Sequence, residues 1–298
     1  MPSADWCSSK TLLVLLRGTA FRGNHHNAAE EQRESLQSIH THLLQPAISL
    51  GWKPAVLADV VVPDGGGSMA WNSISRATLG DYLLADRAAL THPANMQSTS
   101  ILASIHWAET ADSAAWKSHA ALLLLRVDLL LKIAPPLPPP GAATCEDRCV
   151  TLPFALDETE YHTKPQRDTK PVLDRGGCSV AVADTLIWLP RRMHGAFVMA
   201  LNGSAHGTSN LHSLHELLPV TLFYPLTSVN ADANTDDEAN PLYHIIGRKQ
   251  GSHVRTPMPA NSSCADWPLD DGFGRWETGR IRTRCECISG GRSTSKCG

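Results

Sequence analysis

Thr11 to Leu16 is short, continuously apolar and bounded by polar residues and Gly18, the pattern of a strand buried on both faces. A loop, Arg17 to His26, follows it. Asn27 with Glu30 three residues on marks a helix start. Leu36, Ile39, Leu43, Leu44 and Ile48 then recur at helical spacing as far as Gly51, which predicts an amphipathic helix of about six turns. Ala55-Val-Leu and Val60-Val-Val, within Trp52 to Val62, form a second apolar strand. Strand, helix and strand in that order predict a right-handed crossover and a parallel sheet.

Pro63-Asp-Gly-Gly-Gly-Ser68 reads as a turn, and Ser73 to Leu90 as mostly helical. Ser98 to His119 reads as another helix, with Ile101, Leu102, Ile105, Ala108 and Ala115 on one side. It leads into Leu122-Leu-Leu-Leu-Arg-Val-Asp-Leu-Leu-Leu131, a leucine run broken only by Arg126 and Asp128. An unpaired charge buried there costs about several kcal/mol, so the two charges need a reason. A ligand site at an open strand end accounts for them, and so does an ion pair internal to the strand edge. Pro135 to Gly141 is held extended by its prolines and reads as a surface crossing within one domain.

Beyond it, Ser179 to Ala183 and Thr185 to Leu189 read as strand, punctuated by Asp184. Arg191 to Leu201 and Asn210 to Leu218 are compatible with helices, and Val220 to Leu226 with a strand. An acidic loop, Ser228 to Asn240, precedes a last strand within Pro241 to Gly247. The pattern predicts an α/β fold over residues 1–250, with a mostly parallel central sheet flanked by helices. Residues 251–298 are expected to be an irregular, Cys-rich C-terminal extension. The 298 residues are enough to bury a full core.

A formal net charge of -3 and the lack of a long basic block argue against a nucleic-acid partner. No apolar stretch is long enough to span a bilayer. As written, the chain shows no signal peptide, although a start almost directly on a core-like segment is compatible with an upstream anchor or leader. The eight cysteines include the close pair Cys145 and Cys149 and a terminal group, Cys264, Cys285, Cys287 and Cys297. The even count favours disulfides over zinc, because neither Cys145-x-x-x-Cys149 nor Cys285-x-Cys287 has the usual knuckle spacing. Asn202-Gly-Ser204 and Asn261-Ser-Ser263 are acceptor patterns for N-glycosylation. Together these favour a secretory-pathway or extracellular setting, against the alternative of reduced thiols in a cytosolic protein.

Ligands gather at the carboxyl ends of strands in α/β folds, so Asp128 is a candidate ligand for a hard divalent cation and Arg126 for a phosphate. The loop bearing Arg17 and Arg22 lies between a strand and a helix, where backbone N–H groups receive anions, although it matches neither a Walker loop nor Gly-x-Gly-x-x-Gly. Asp184 repeats the device of an acid among apolar residues, with His194 shortly after it. His212 and His215 stand three apart on a predicted helix, in the spacing of zinc ligands but among leucines that suit a core.

Leu12-Val-Leu-Leu-Arg-Gly-Thr-Ala-Phe-Arg22, Leu123-Leu-Leu-Arg-Val-Asp128 and Val182-Ala-Asp-Thr-Leu-Ile-Trp-Leu-Pro190 together resemble glycosyltransferase-like proteins with a nucleotide-sugar-binding, GT-A-like α/β domain. The resemblance spans residues 11–247 in outline. It implies transfer of a sugar from a nucleotide-sugar to a hydroxyl acceptor on a glycan or protein. Arg17 and Arg22 would lie near the diphosphate, Arg126 and Asp128 at the sugar-phosphate or a Mn or Mg ion, and Asp184 would contact the acceptor or act as base. Where the family carries Asp-x-Asp this chain has Arg126-x-Asp128, which leaves metal dependence open. Two alternatives remain: a non-catalytic secreted or lumenal protein that binds carbohydrate or protein, and a metal-dependent hydrolase built on Asp128, Asp184 and the histidines. The readings differ in space, since transfer requires Arg17, Asp128 and Asp184 to meet at one cleft, and the hydrolase requires His194, His212 and His215 to join the acids.

Overall fold

The computed structural model describes residues 8–21, 28–62, 65–90, 97–141, 144, 147–152, 155–157, 180–182, 185–205, 218, 220–222 and 243–245. The first half contains β1 (Thr11–Thr19), α1 (Ala28–Ile39), α2 (Gln45–Ser49), β2 (Lys53–Val61), α3 (Gly65–Leu79) and β3 (Leu83–Ala89). After α4 (Gln97–Ala111) and α5 (Ser113–Ser118) come β4 (Ala121–Arg126), β5 (Leu129–Leu131), β6 (Val150–Leu152) and β7 (Ala155–Asp157). β8 (Val180–Val182), β9 (Leu186–Pro190), α6 (His194–Ala205), β10 (Val220–Leu222) and β11 (Tyr243–Ile245) complete the order.

Seven strands form the central sheet in the order β10-β6-β9-β4-β1-β2-β3. All neighbours are parallel except β9, which runs against both β4 and β6. The expected α/β architecture, mostly parallel and flanked by helices, is the observed one.

Alternation along the strands explains the leucine run. Leu123 and Leu125 join one core with Leu12, Val14, Leu36 and Trp71, while Leu122 and Leu124 join a second with Leu13, Ile105 and Phe197. The first core lies under α1 and α3 and the second under α4 and α6, so β4 is covered on both faces and tolerates no polar residue until it ends.

Several boundaries differ from the sequence expectation for identifiable reasons. The first helix is one rod, but His40–Leu44 is a π turn whose successor Gln45 bonds back to the His40 carbonyl. Pro46 has no N–H, and its ring crowds the carbonyl four residues earlier, so the widened turn accommodates it. The rod ends at Gly51, whose φ of +95° suits a glycine after a helix. The turn expected at 63–68 is in part the start of α3, which begins at Gly65. Leu83 to Ala89, expected within a helix, is strand β3, because the edge of β2 offers a ladder of hydrogen bonds that outweighs local helix propensity. Asp112 divides the helix expected over 98–119: its carboxylate accepts the Ala114 and Ala115 N–H groups and caps α5. The helix expected over 210–218, apart from Leu218, and the 251–298 extension lie outside the described residues. The proline segment lies against the core, with Leu137 buried and the Trp52 Nε1 donating to the Pro138 carbonyl at 2.8 Å.

After β4 the chain leaves the central sheet, and β5 pairs antiparallel with β11 instead. α1 holds this departing backbone with three buried polar residues on one face. Gln32 Nε2 donates to the Val127 carbonyl at 2.9 Å, and Ser35 Oγ lies within 2.9 Å of the Val127 carbonyl and 2.7 Å of the Leu129 carbonyl. Ser38 Oγ accepts the Leu131 N–H at 2.9 Å. Ser35→Ala removes the single hydroxyl proton shared between the Val127 and Leu129 carbonyls and is expected to lower unfolding free energy by about 1–3 kcal/mol, read from urea denaturation.

Candidate functional site

β1 continues to Thr19, so Arg17 belongs to the strand and not to the loop expected to start there. The extension arises because Arg17-Gly-Thr19 pairs in register with Asp59-Val-Val61 of β2. Gly18 adopts a φ of +106° there, a backbone conformation that a side chain rarely allows.

The register aligns four charged residues across four neighbouring strands. Arg126 of β4 is level with Arg17 of β1, Arg17 with Asp59 of β2, and Asp59 with Arg87 of β3. By strand alternation all four share the face covered by α4. They lie at the carboxyl ends of parallel strands. From β1 the chain passes to β2 and β3 on one side, then returns to place β4 on the other. This reversal makes the β1–β4 boundary the topological switch point, where a crevice opens in sheets of this type.

Arg126 and Asp128 form a bidentate pair, with Nε to Oδ1 at 2.9 Å and Nη2 to Oδ2 at 2.6 Å. Their side chains are 11% and 2% exposed, so the ion pair weighed from sequence is present, at the end of the strand. Arg17 is buried beside it, and the Arg17 carbonyl accepts the Val127 N–H at 2.8 Å. The Arg126 N–H donates to the Thr185 carbonyl at 3.1 Å, which brings the residue following Asp184 to the end of β4. Asp184 itself and Arg22 lie outside the described residues, as do His212 and His215.

Phe21, just beyond β1, is tied to the same place. Phe21 has a φ of +54°, in the left-handed region that non-glycine residues seldom occupy. Its N–H donates to Gln32 Oε1 at 3.0 Å, while Gln32 Nε2 holds the Val127 carbonyl. One side chain thus fixes the spacing between Phe21 and the Arg126–Asp128 turn.

Asp59 and Arg87 were not singled out from sequence. Arg87 binds both Asp59 oxygens at 2.8 Å, and its guanidinium lies 5.2 Å from the Trp107 ring centroid. The signal was available: Asp59 is a single acid within the apolar run Pro54 to Val62, the same anomaly as Arg126 and Asp128.

The donor set does not suit the Mn or Mg ion that the resemblance leaves open. Both Asp128 oxygens accept from Arg126, and the Val127 and Leu129 carbonyls accept from Gln32 and Ser35. A hard cation requires several oxygens turned toward one point, and these are turned toward N–H and O–H donors. Among the described residues no group of three His, Cys, Asp or Glu side chains converges.

His194 lies at the opposite edge of the sheet. It follows Pro190, which pairs with Ala121 at the start of β4, roughly 16 Å along the strand from Arg126 at a rise of about 3.3 Å per residue. The hydrolase reading therefore loses His194 as a companion of Asp128. There His194 packs against Trp116, with ring centroids 4.8 Å apart, and against His119 at 6.2 Å. Arg191 donates to the Trp116 carbonyl at 2.7 Å and lies 3.0 Å from the His119 ring nitrogens. Burial, helped by the Arg191 charge and by His194, lowers the His119 pKa to about 3. Burial and Arg191 lower that of His194 to about 4. Both rings are neutral at pH 7.

No protein-family model matches the chain, and no curated protein does. Solved structures do. One is a protein assigned as a nucleotide-diphospho-sugar transferase from Desulfovibrio desulfuricans G20, with 10% identity over 72% of this chain and 79% of the other, at a TM-score of 0.39. A second is a glycosyltransferase involved in glycosylation of the major capsid of PBCV-1, with 8% identity, 72% and 83% coverage and a TM-score of 0.33. A nucleoside-diphosphate-sugar pyrophosphorylase from Vibrio cholerae RC9 has 8% identity, 71% and 90% coverage and a TM-score of 0.37. The similarity is in outline only.

Two measurements check the electrostatics. Asp128→Asn leaves the Arg126 guanidinium without its carboxylate in a mostly closed site, and is expected to cost about 3 kcal/mol in chemical denaturation. For His119 the unfolded ring binds a proton below pH 6.5 while the folded ring stays neutral to about pH 3. The stability it contributes is complete above pH 6.5 and is lost progressively as pH falls from 6.5 toward 3. His119→Gln should flatten the fall of the urea midpoint across that window, and an unchanged slope would count against the buried neutral ring.

Proposed function

We propose that the protein is a nucleotide-sugar-utilising enzyme of the glycosyltransferase kind, transferring a sugar from a nucleotide-sugar to a hydroxyl acceptor on a glycan or protein. The observation that carries this is the register that sets Arg17 and Arg126 side by side at the switch point between β1 and β4. A diphosphate lying across that boundary meets two guanidiniums, whose forked donors suit phosphate oxygens. Transfer to a hydroxyl requires neutralisation of the departing diphosphate and a carboxylate to receive the proton. In this reading Arg17, Arg126 and Arg22 serve the diphosphate. Asp128 orients Arg126, and Asp184, which precedes Thr185 at the end of β4, is the proposed base at the acceptor.

A secretory setting, in the Golgi lumen or outside the cell, belongs to the same proposal and is supported by Cys149, which is buried and disulfide-bonded. Among the described residues no helix is long and apolar enough to cross a membrane. The closed Arg126–Asp128 pair favours a second reading, a protein that keeps the scaffold and binds its ligand without turnover.

A calorimetric titration with UDP, GDP, CDP, ADP and dTDP tests the site. At least one is expected to bind, and Arg17→Ala is expected to weaken it by about 10- to 100-fold, the loss of one charge-assisted contact. Absence of binding by every nucleotide would overturn the proposal. Binding without release of sugar from the matching nucleotide-sugar would select the second reading.

A further inference from the structure

We infer that Arg126 takes the place of a divalent cation, so that the site binds its nucleoside diphosphate without metal. The inference rests on the proposed nucleotide-sugar site and specifies its charge chemistry. Two carboxylates in an Asp-x-Asp carry two negative units, which a divalent ion cancels. Arg126 with Asp128 is neutral by itself: replacing an acid with arginine changes the local charge by two positive units, the charge the ion would have brought.

The geometry agrees with the charge count. The guanidinium engages both Asp128 oxygens, at 2.9 and 2.6 Å, and so fills the chelating edge of the carboxylate and sets a fixed positive charge against it, which opposes a second cation there. The neighbouring carbonyls of Val127 and Leu129 accept hydrogen bonds from Gln32 and Ser35 of α1, at 2.7–2.9 Å. To ligate an ion the turn would have to give up these bonds within a buried setting, where each lost partner is costly. The fixed cation is also held in position by Asp128, on the strand level with Arg17. Arg126, oriented by Asp128 and level with Arg17, then does for the diphosphate what a metal would, with no dependence on metal supply.

The test uses the full chain and two probes, manganese alone and the tightest-binding nucleoside diphosphate. Wild type is expected to leave the electron paramagnetic resonance signal of free manganese undiminished. Its nucleotide affinity in excess EDTA should agree with that in manganese to within about threefold. Saturable manganese binding that disappears in Asp128→Asn overturns the inference, whether or not a nucleotide binds. So does nucleotide binding that EDTA abolishes. Failure of all nucleotides to bind removes the proposed function and with it metal-free nucleotide binding, while the manganese signal still decides separately whether Arg126 excludes the ion. Arg126→Asp supplies the converse, since it rebuilds two carboxylates on the turn: manganese is expected to raise its melting temperature and not that of wild type. Equal indifference of a folded variant and wild type to manganese would show that Arg126 is not what displaces the ion. The wild-type measurements stand by themselves if the variant folds poorly.

Discussion

The departure of the chain from the sheet after β4 depends on a stripe of buried polar side chains on α1. A strand leaving its sheet exposes carbonyl and N–H groups that still need partners, and inside a core those partners must come from protein or bound water. Gln32, Ser35 and Ser38 recur at helical spacing and supply them to Val127, Leu129 and Leu131. The turn carrying Asp128 is therefore held by the first helix, and Gln32 extends that hold to Phe21. Phe21, helix and strand end form one connected unit around the switch point.

The interior strands were legible in the sequence because a strand covered on both faces has no choice but to be apolar. Thr11 to Leu16 and Trp52 to Val62 differ from the observed β1 and β2 only at their ends, whereas the strand expected over Leu122 to Asp128 stops at Arg126, because Val127 and Asp128 turn out of the sheet. β3 was not legible: Leu83-Leu-Ala-Asp-Arg-Ala-Ala89 has helical composition and is a strand because β2 needed a neighbour. The helix break at Asp112 is written locally, as a capping acid, but is masked by the longer periodic stretch around it.

For the site, the anomaly of two charges in a leucine run pointed to the right place and left two explanations open. The structure supplies the ion pair, and it supplies the register with Arg17 that no spacing in the sequence could reveal, because alignment between strands is a property of the sheet. Asp59 and Arg87 extend the same row and bind each other as Arg126 and Asp128 do. Two carboxylates thus moderate three arginines at one sheet end, so that three guanidiniums share an interior without open repulsion.

The reversed strand β9 has a further effect on the field of the molecule. Helices that follow parallel strands begin at the carboxyl edge of the sheet, and α1 and α3 direct the positive ends of their dipoles toward it. Because β9 runs the other way, α6 starts beside Ala121, at the far edge. Its positive end falls on the side of Arg191, His119 and His194, a setting already unfavourable to protons. One strand inverted in the sheet thus gives the two edges different chemistry: the first gathers Arg17, Arg87 and Arg126 with their paired carboxylates, and the second keeps its histidines uncharged.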